Sequence, residues 1–242
     1  MVEYYFPDMT RATWGETWRM TSGLRQFCLA AILRLCRIRT TRYGIARDGL
    51  RFIEFQDVPE HVAKRLQPLI DAATSQGFRL CLWSTATSIG LIEGYSATLL
   101  HSNGTMYAGL AWARIAFCQP PREELILNVA SKLTDGRFVC TTDAKQRLDR
   151  PKGFLVENLP GQEPHTVLKR HQERLLSLSQ NDLLHLDLVS LRQTLFEASQ
   201  RIQTTYIDRG IWRRLSEQEI AAILNSSEPV PVESGNATRG CR

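Results

Sequence analysis

The sequence predicts an α+β fold: a mainly antiparallel sheet with a covering helix and a C-terminal helical layer. Three observations carry this prediction. Asn103-Gly104 stands between two runs of alternating or apolar residues, a strong short-range signal for a two-residue hairpin turn in which both residues take positive φ. Val62, Leu66, Leu69, Ile70 and Ala73 recur at helical spacing. Leucines recur in the same way through residues 164 to 201.

Residues 1 to 22 have no sustained period. Trp14 and Trp18 suit one face of a short helix, and with Tyr4, Tyr5 and Phe6 they read as aromatics that anchor the N-terminus. Residues 23 to 47 are more informative. Leu24, Phe27, Cys28, Ala31 and Leu35 form a helical stripe, which Leu29, Ile32 and Cys36 widen. Arg25, Arg34, Arg37, Arg39, Arg42 and Arg47 accompany it, with no acidic residue among them. Two readings follow. One is a packed helix whose arginines reach water. The other is a basic amphipathic segment that docks outward, with Leu24, Phe27, Ala31 and Leu35 supplying burial and Arg34, Arg37, Arg39 and Arg42 facing an acidic partner or anionic headgroups. The apolar run is too short to cross a bilayer, which takes roughly 20 residues.

Asp48-Gly49 is expected to turn the chain into a strand from Leu50 to Phe55. Pro59 can open the following helix, because the first turn needs no amide donor there. Pro68 predicts a kink or split, and Gly77 suits the position beyond the helix end. Phe78 to Trp83 is the next strand. A turn at Asn103-Gly104 sets His101 against Met106, Leu99 against Ala108, Ala97 against Leu110 and Tyr95 against Trp112. These pairs share one face, the better core candidate. Pro120-Pro121 bounds the sheet. A second hairpin, Glu124 to Leu133 with Arg137 to Thr142, turns at Asp135-Gly136. A two-residue turn sets Leu133 against Phe138 and Ser131 against Cys140, and Thr134-Asp135-Gly136 also permits a three-residue turn. Gly153 to Glu157 is a short strand. Helices are expected over 164–179, 184–201 and 220–224, and a mobile tail from Asn225. The resulting organisation is an extension over 1–47, one integrated domain over 48–224 and a flexible tail over 225–242.

A hydrophobic content of 43% is ample for a core without covalent staples, so the six cysteines read as reduced thiols of a cytoplasmic protein, with peripheral membrane attachment as the variant. Thirty basic against 25 acidic residues give +5, too mild an excess to indicate nucleic acid. Nucleotide-binding glycine motifs, HExxH, GxSxG and CxxC are all missing. Cys140 could act as a nucleophile only with a base such as His101 or His165 beside it. His165, His171 and His185, with Glu173, could converge if the last two long helices pack antiparallel, but their spacing forms no compact ligand set, and no metal or cofactor is expected. The leading functional expectation is a non-enzymatic protein-interaction or regulatory module docking through the N-terminal segment onto a protein partner. Its alternatives are a hydrolase with a pocket between the sheet and the C-terminal helices, and a module peripheral to an anionic membrane surface.

Overall fold

The computed structural model describes residues 2–21, 23–36, 43–90, 92–116, 121–179 and 182–226. It is a mixed α+β fold. Among the described residues nine strands form one sheet: β1 (Tyr4–Pro7), β2 (Tyr43–Ile53), β3 (Phe78–Gly90), β4 (Ile92–His101), β5 (Tyr107–Ile115), β6 (Arg122–Lys132), β7 (Phe138–Thr142), β8 (Phe154–Asn158) and β9 (Trp212–Arg214). Their order is β8-β7-β6-β5-β4-β3-β2-β1-β9, and every neighbouring pair is antiparallel except β7 with β8.

The β4–β5 register is the expected one: Tyr95 lies opposite Trp112, Ala97 opposite Leu110 and Leu99 opposite Ala108. The turn itself is different. Positive φ occurs at Gly104 (+70°) and not at Asn103. The His101 carbonyl accepts from Gly104 N–H at 2.9 Å, and His101 N–H donates to the Met106 carbonyl at 3.0 Å. Asn103 Oδ1 accepts from Thr105 N–H at 3.0 Å, so its side chain braces a four-residue loop in place of a second left-handed residue. Gly104 is fixed twice over, since a Cβ there would stand 2.2 Å from the His185 ring.

In the second hairpin the three-residue turn prevails. Gly136 takes φ +83°, and Leu133 N–H donates to the Arg137 carbonyl at 2.8 Å. Phe138 therefore pairs with Lys132, and Cys140 with Ala130. The expected Leu133–Phe138 and Ser131–Cys140 pairs are one residue out of register. Asp48-Gly49 is not a turn either. It interrupts β2 as a bulge, with Asp48 at φ +54° and its N–H held by Gln203 Oε1 at 3.0 Å. The strand thus begins at Tyr43, ahead of the boundary drawn after residue 47, and ends at Ile53, while Phe55 lies in a 3-10 turn. β3 runs on to Gly90, well past Trp83. β5 ends at Ile115 and β6 starts at Arg122, directly after Pro121, while Pro120 lies outside the described residues.

Helices cover both faces. α3 (Glu60–Thr74) buries Val62, Leu66, Ile70 and Ala73 against Trp83, Ala97, Leu99, Leu110 and Trp112. It continues through Pro68, which is exposed, so water can replace the amide that proline lacks. α4 (Pro164–Leu176) adds Val167, Leu168 and Leu175 to the same core. The opposite face of the hairpin, Tyr107 included, joins a second core of Leu82, Ala130, Phe138 and Cys140 beneath Leu186 and Leu191. This core seats α5 (Leu188–Asp208). α5 begins later than expected because Asp187 and Ser190 form a capping box there. Leu184 instead lies in an extended segment, its N–H donating to the Lys132 carbonyl at 2.9 Å. α6 (Glu217–Ser226) starts at a reciprocal Ser216–Glu219 cap and packs against β3. It takes in Asn225 and Ser226, and the rest of the expected tail lies outside the described residues.

Candidate functional site

Two short helices stand between β1 and β2 in the chain. α1 (Trp14–Met20) begins at a Thr13–Glu16 capping box, a motif already present in the sequence as T-x-x-E. Glu16 does more than cap. It is fully buried, and both its carboxylate oxygens accept from Arg209 Nη2 at 2.7 Å. Asp149 N–H donates to Oε1 and Thr13 N–H to Oε2, each at 2.7 Å. Burial alone would raise this carboxyl, but Arg209 and the two amides hold it down at about 2. Arg19 also pairs with Asp149. α1 is thereby clamped to the end of α5 and to the 143–153 connection.

α2 (Leu24–Leu35) is held differently. Gly23 gives it no side-chain cap, and its first turn carries no acid. It packs against α1 and the 3-10 turn at Met9–Arg11: Phe27 meets Trp14 and Trp18 edge-on at 6.2 and 5.2 Å, and the Arg34 guanidinium lies 4.2 Å from the Trp14 ring centre. None of its residues is buried. Leu24 is 67% exposed and Leu35 73%, and Leu29, Ile32, Trp14 and Trp18 are exposed as well. The expected interaction residues Leu24, Phe27, Ala31, Leu35 and Arg34 thus lie on an unburied helix, which excludes packing of Leu24 and Leu35 beneath the domain. At 100° per residue, Leu24, Cys28, Leu29, Leu33 and Phe27 spread over more than one side of the helix, with Arg25, Gln26 and Arg34 between them, so the apolar surface is wider than a stripe. Arg37, Arg39 and Arg42 lie outside the described residues.

The catalytic candidates are not brought together. Cys140 lies on the α5 face of β7, buried among Leu82, Tyr107 and Phe138, and burial pushes its thiol up to about 11 despite Arg150 and Arg174 nearby. His101 ends β4 on the other face, edge-on to Phe78 at 4.9 Å, with Nδ1 accepting from Asn103 N–H at 3.2 Å. Strands β4 and β7 are three steps apart in the sheet, roughly 14 Å at the usual strand spacing. His165 is exposed in the first turn of α4, 3.2 Å from Gln76 Nε2. His171 and His185 do not converge, because α4 and α5 occupy opposite faces of the sheet.

His171 has a structural post. It is fully buried, with Nε2 3.1 Å from Ser131 Oγ and Nδ1 3.1 Å from Thr141 Oγ1. Burial first, and then the Arg174 charge, push it down to about 3, so it is neutral. Arg174 continues the network, donating to Thr141 Oγ1 at 2.9 Å, to the Leu155 carbonyl at 2.8 Å and to the Cys140 carbonyl. The network ties α4 to β7 and β8, and neither His171 nor Arg174 stood out in the sequence for that role. Among the described residues no group of three or more His, Cys, Asp or Glu side chains is placed to hold a metal ion, and no helix is long and apolar enough to cross a membrane. No protein-family model, curated protein or solved structure matches this chain.

Proposed function

We propose that this protein is a docking module, not an enzyme, that attaches through α1–α2 to an anionic membrane surface. One observation carries the reading: nine of the twelve residues of α2 are apolar and none is buried, with Leu24, Leu29, Ile32 and Leu35 exposed. Twelve residues span roughly 18 Å, too little to cross a hydrocarbon core of about 30 Å, so the helix enters one leaflet. Trp14 and Trp18 are side chains suited to the headgroup level. The sequence from Thr17 to Arg47 contains seven arginines and no acid; Arg19 and Arg47 pair with Asp149 and Glu3, and the charge of the other five complements anionic headgroups. Apolar insertion combined with basic attraction makes the two signals that stable attachment requires.

The test is co-sedimentation with vesicles of phosphatidylcholine alone and of phosphatidylcholine with phosphatidylserine. Binding is expected to the mixed vesicles, weakening as salt rises, and to be lost in Leu29→Ser/Ile32→Ser and reduced by changing Arg34, Arg37, Arg39 and Arg42 to Gln. No binding to anionic vesicles at low salt overturns the proposal, and recovery of one acidic protein in their place returns the surface to a protein partner.

A further inference from the structure

A cleft of about 540 Å³ opens between the outer end of β6, the 144–150 connection and Tyr206 of α5. Four cations line it: Arg122, Lys145, Arg147 and Arg150. Two carboxylates stand with them. Glu124 receives both Arg122 (2.9 Å) and Arg147 (2.6 Å), while Glu123 lies 3.5 Å from Arg65 outside the cleft. Arg150 and Lys145 have no hydrogen bond or ion pair among the described residues. For Arg150 this is costly, because its Nε is sealed from solvent without an acceptor. Arg150 lines the cleft beside Tyr206.

We infer that this cleft is a binding site for a phosphomonoester, received by Arg150 and Lys145. The lining carries a surplus of two positive charges, which a dianionic phosphate matches and a single carboxylate does not. Leu125, Ile126 and Leu148 supply an apolar wall for the organic part, and the volume lies within the range usual for small-ligand sites. The neighbouring residue, Asp149, holds Glu16 and Arg19 of α1, so the site lies beside the root of the docking helices. A phosphorylated lipid headgroup and a free phosphomonoester share the chemistry that this lining recognises.

The experiment is isothermal titration of the full chain with glycerol phosphate and with inorganic phosphate, alongside sedimentation with vesicles containing phosphatidic acid. Arg150→Gln and Lys145→Gln are each expected to weaken binding about tenfold, the effect of losing one charge-assisted contact. Lys64→Gln, which pairs with Glu60 on α3 and touches no residue of the lining, should leave affinity unchanged. Dependence on Arg150 in the glycerol phosphate titration supports the site with a soluble ligand. The same dependence seen only with vesicles supports it with a lipid headgroup. If neither probe responds to Arg150→Gln or Lys145→Gln in protein that melts normally, the inference fails. Leu29→Ser/Ile32→Ser separates this failure from that of the docking reading, since it removes vesicle attachment and leaves the glycerol phosphate titration untouched.

Discussion

α2 and α3 are both regular helices, and their fates are opposite. Nine of the twelve residues of α2 are apolar, against seven of fifteen in α3, counting Cys and Ala. Yet α3 buries four side chains and α2 none. Apolar content therefore does not decide burial in this molecule. Arrangement does. Glu60, Lys64, Arg65, Gln67 and Asp71 occupy the outward side of α3, leaving Val62, Leu66, Ile70 and Ala73 aligned on the side that meets the sheet. α2 has no such sidedness, and among the described residues it meets only α1 and the short 3-10 turn at Met9–Arg11 closely.

The contrast can be broken most directly at single side chains. Leu66→Ala should cost about 2–5 kcal/mol in urea-unfolding stability, the usual range for a fully buried leucine. A cost below 1 kcal/mol would mean that α3 does not seat the core. Glu16→Gln should cost about 2–3 kcal/mol, because it leaves Arg209 partly buried without its counter-ion. The same variant should expose the 14–36 segment to limited proteolysis, which tests whether Glu16 is what clamps α1. The sign of its pH dependence follows from a carboxyl held at about 2 against an ordinary 4.5: the stabilisation is present above pH 4.5 and disappears as pH falls through about 2.

His171 sharpens the comparison on the α4 side. Its folded value of about 3 lies below the ordinary 6.5, so the unfolded chain takes up the proton first. Stability should be fully present above pH 6.5 and fall towards pH 3, with a slope from this group of up to about 1.4 kcal/mol per pH unit. His171→Gln should flatten that limb, and an unchanged acid profile would refute the buried neutral assignment. The smallest effect belongs to α2: Leu29→Ser/Ile32→Ser should shift unfolding by no more than about 0.5 kcal/mol. A loss comparable with that of Leu66→Ala would erase the contrast between the two helices.

What could be read from the sequence follows the range of the interactions. The Asn103-Gly104 hairpin, the one-sided pattern of α3 and the strand boundary at the prolines are local, and all were legible. The one-residue error between β6 and β7 came from preferring Asp135-Gly136 to Thr134-Asp135-Gly136, two turns with the same glycine and different lengths. The Asp48-Gly49 bulge was misread as a turn because its partner, Gln203, lies 155 residues away. Distance also hid the site. The apolar and basic character of residues 24 to 35 was visible, but its exposure depends on what the remaining chain places opposite. The Arg150 cleft draws on β6, the 144–150 connection and α5, and no short spacing announces it. The second core under α5 was likewise missed, since hairpin alternation alone favoured one face.

β1 pairs on one side with β2 and on the other with β9, and Glu16 meets Arg209 across 193 residues. On the ribosome the first strand is made long before its second neighbour, and the carboxylate long before its guanidinium. Chain growth at about 5–20 residues per second leaves an interval of roughly ten seconds or more in which the apolar α2 has emerged and its base has not yet been clamped. The helix that would meet a surface is thus synthesised well before the group that fixes its orientation.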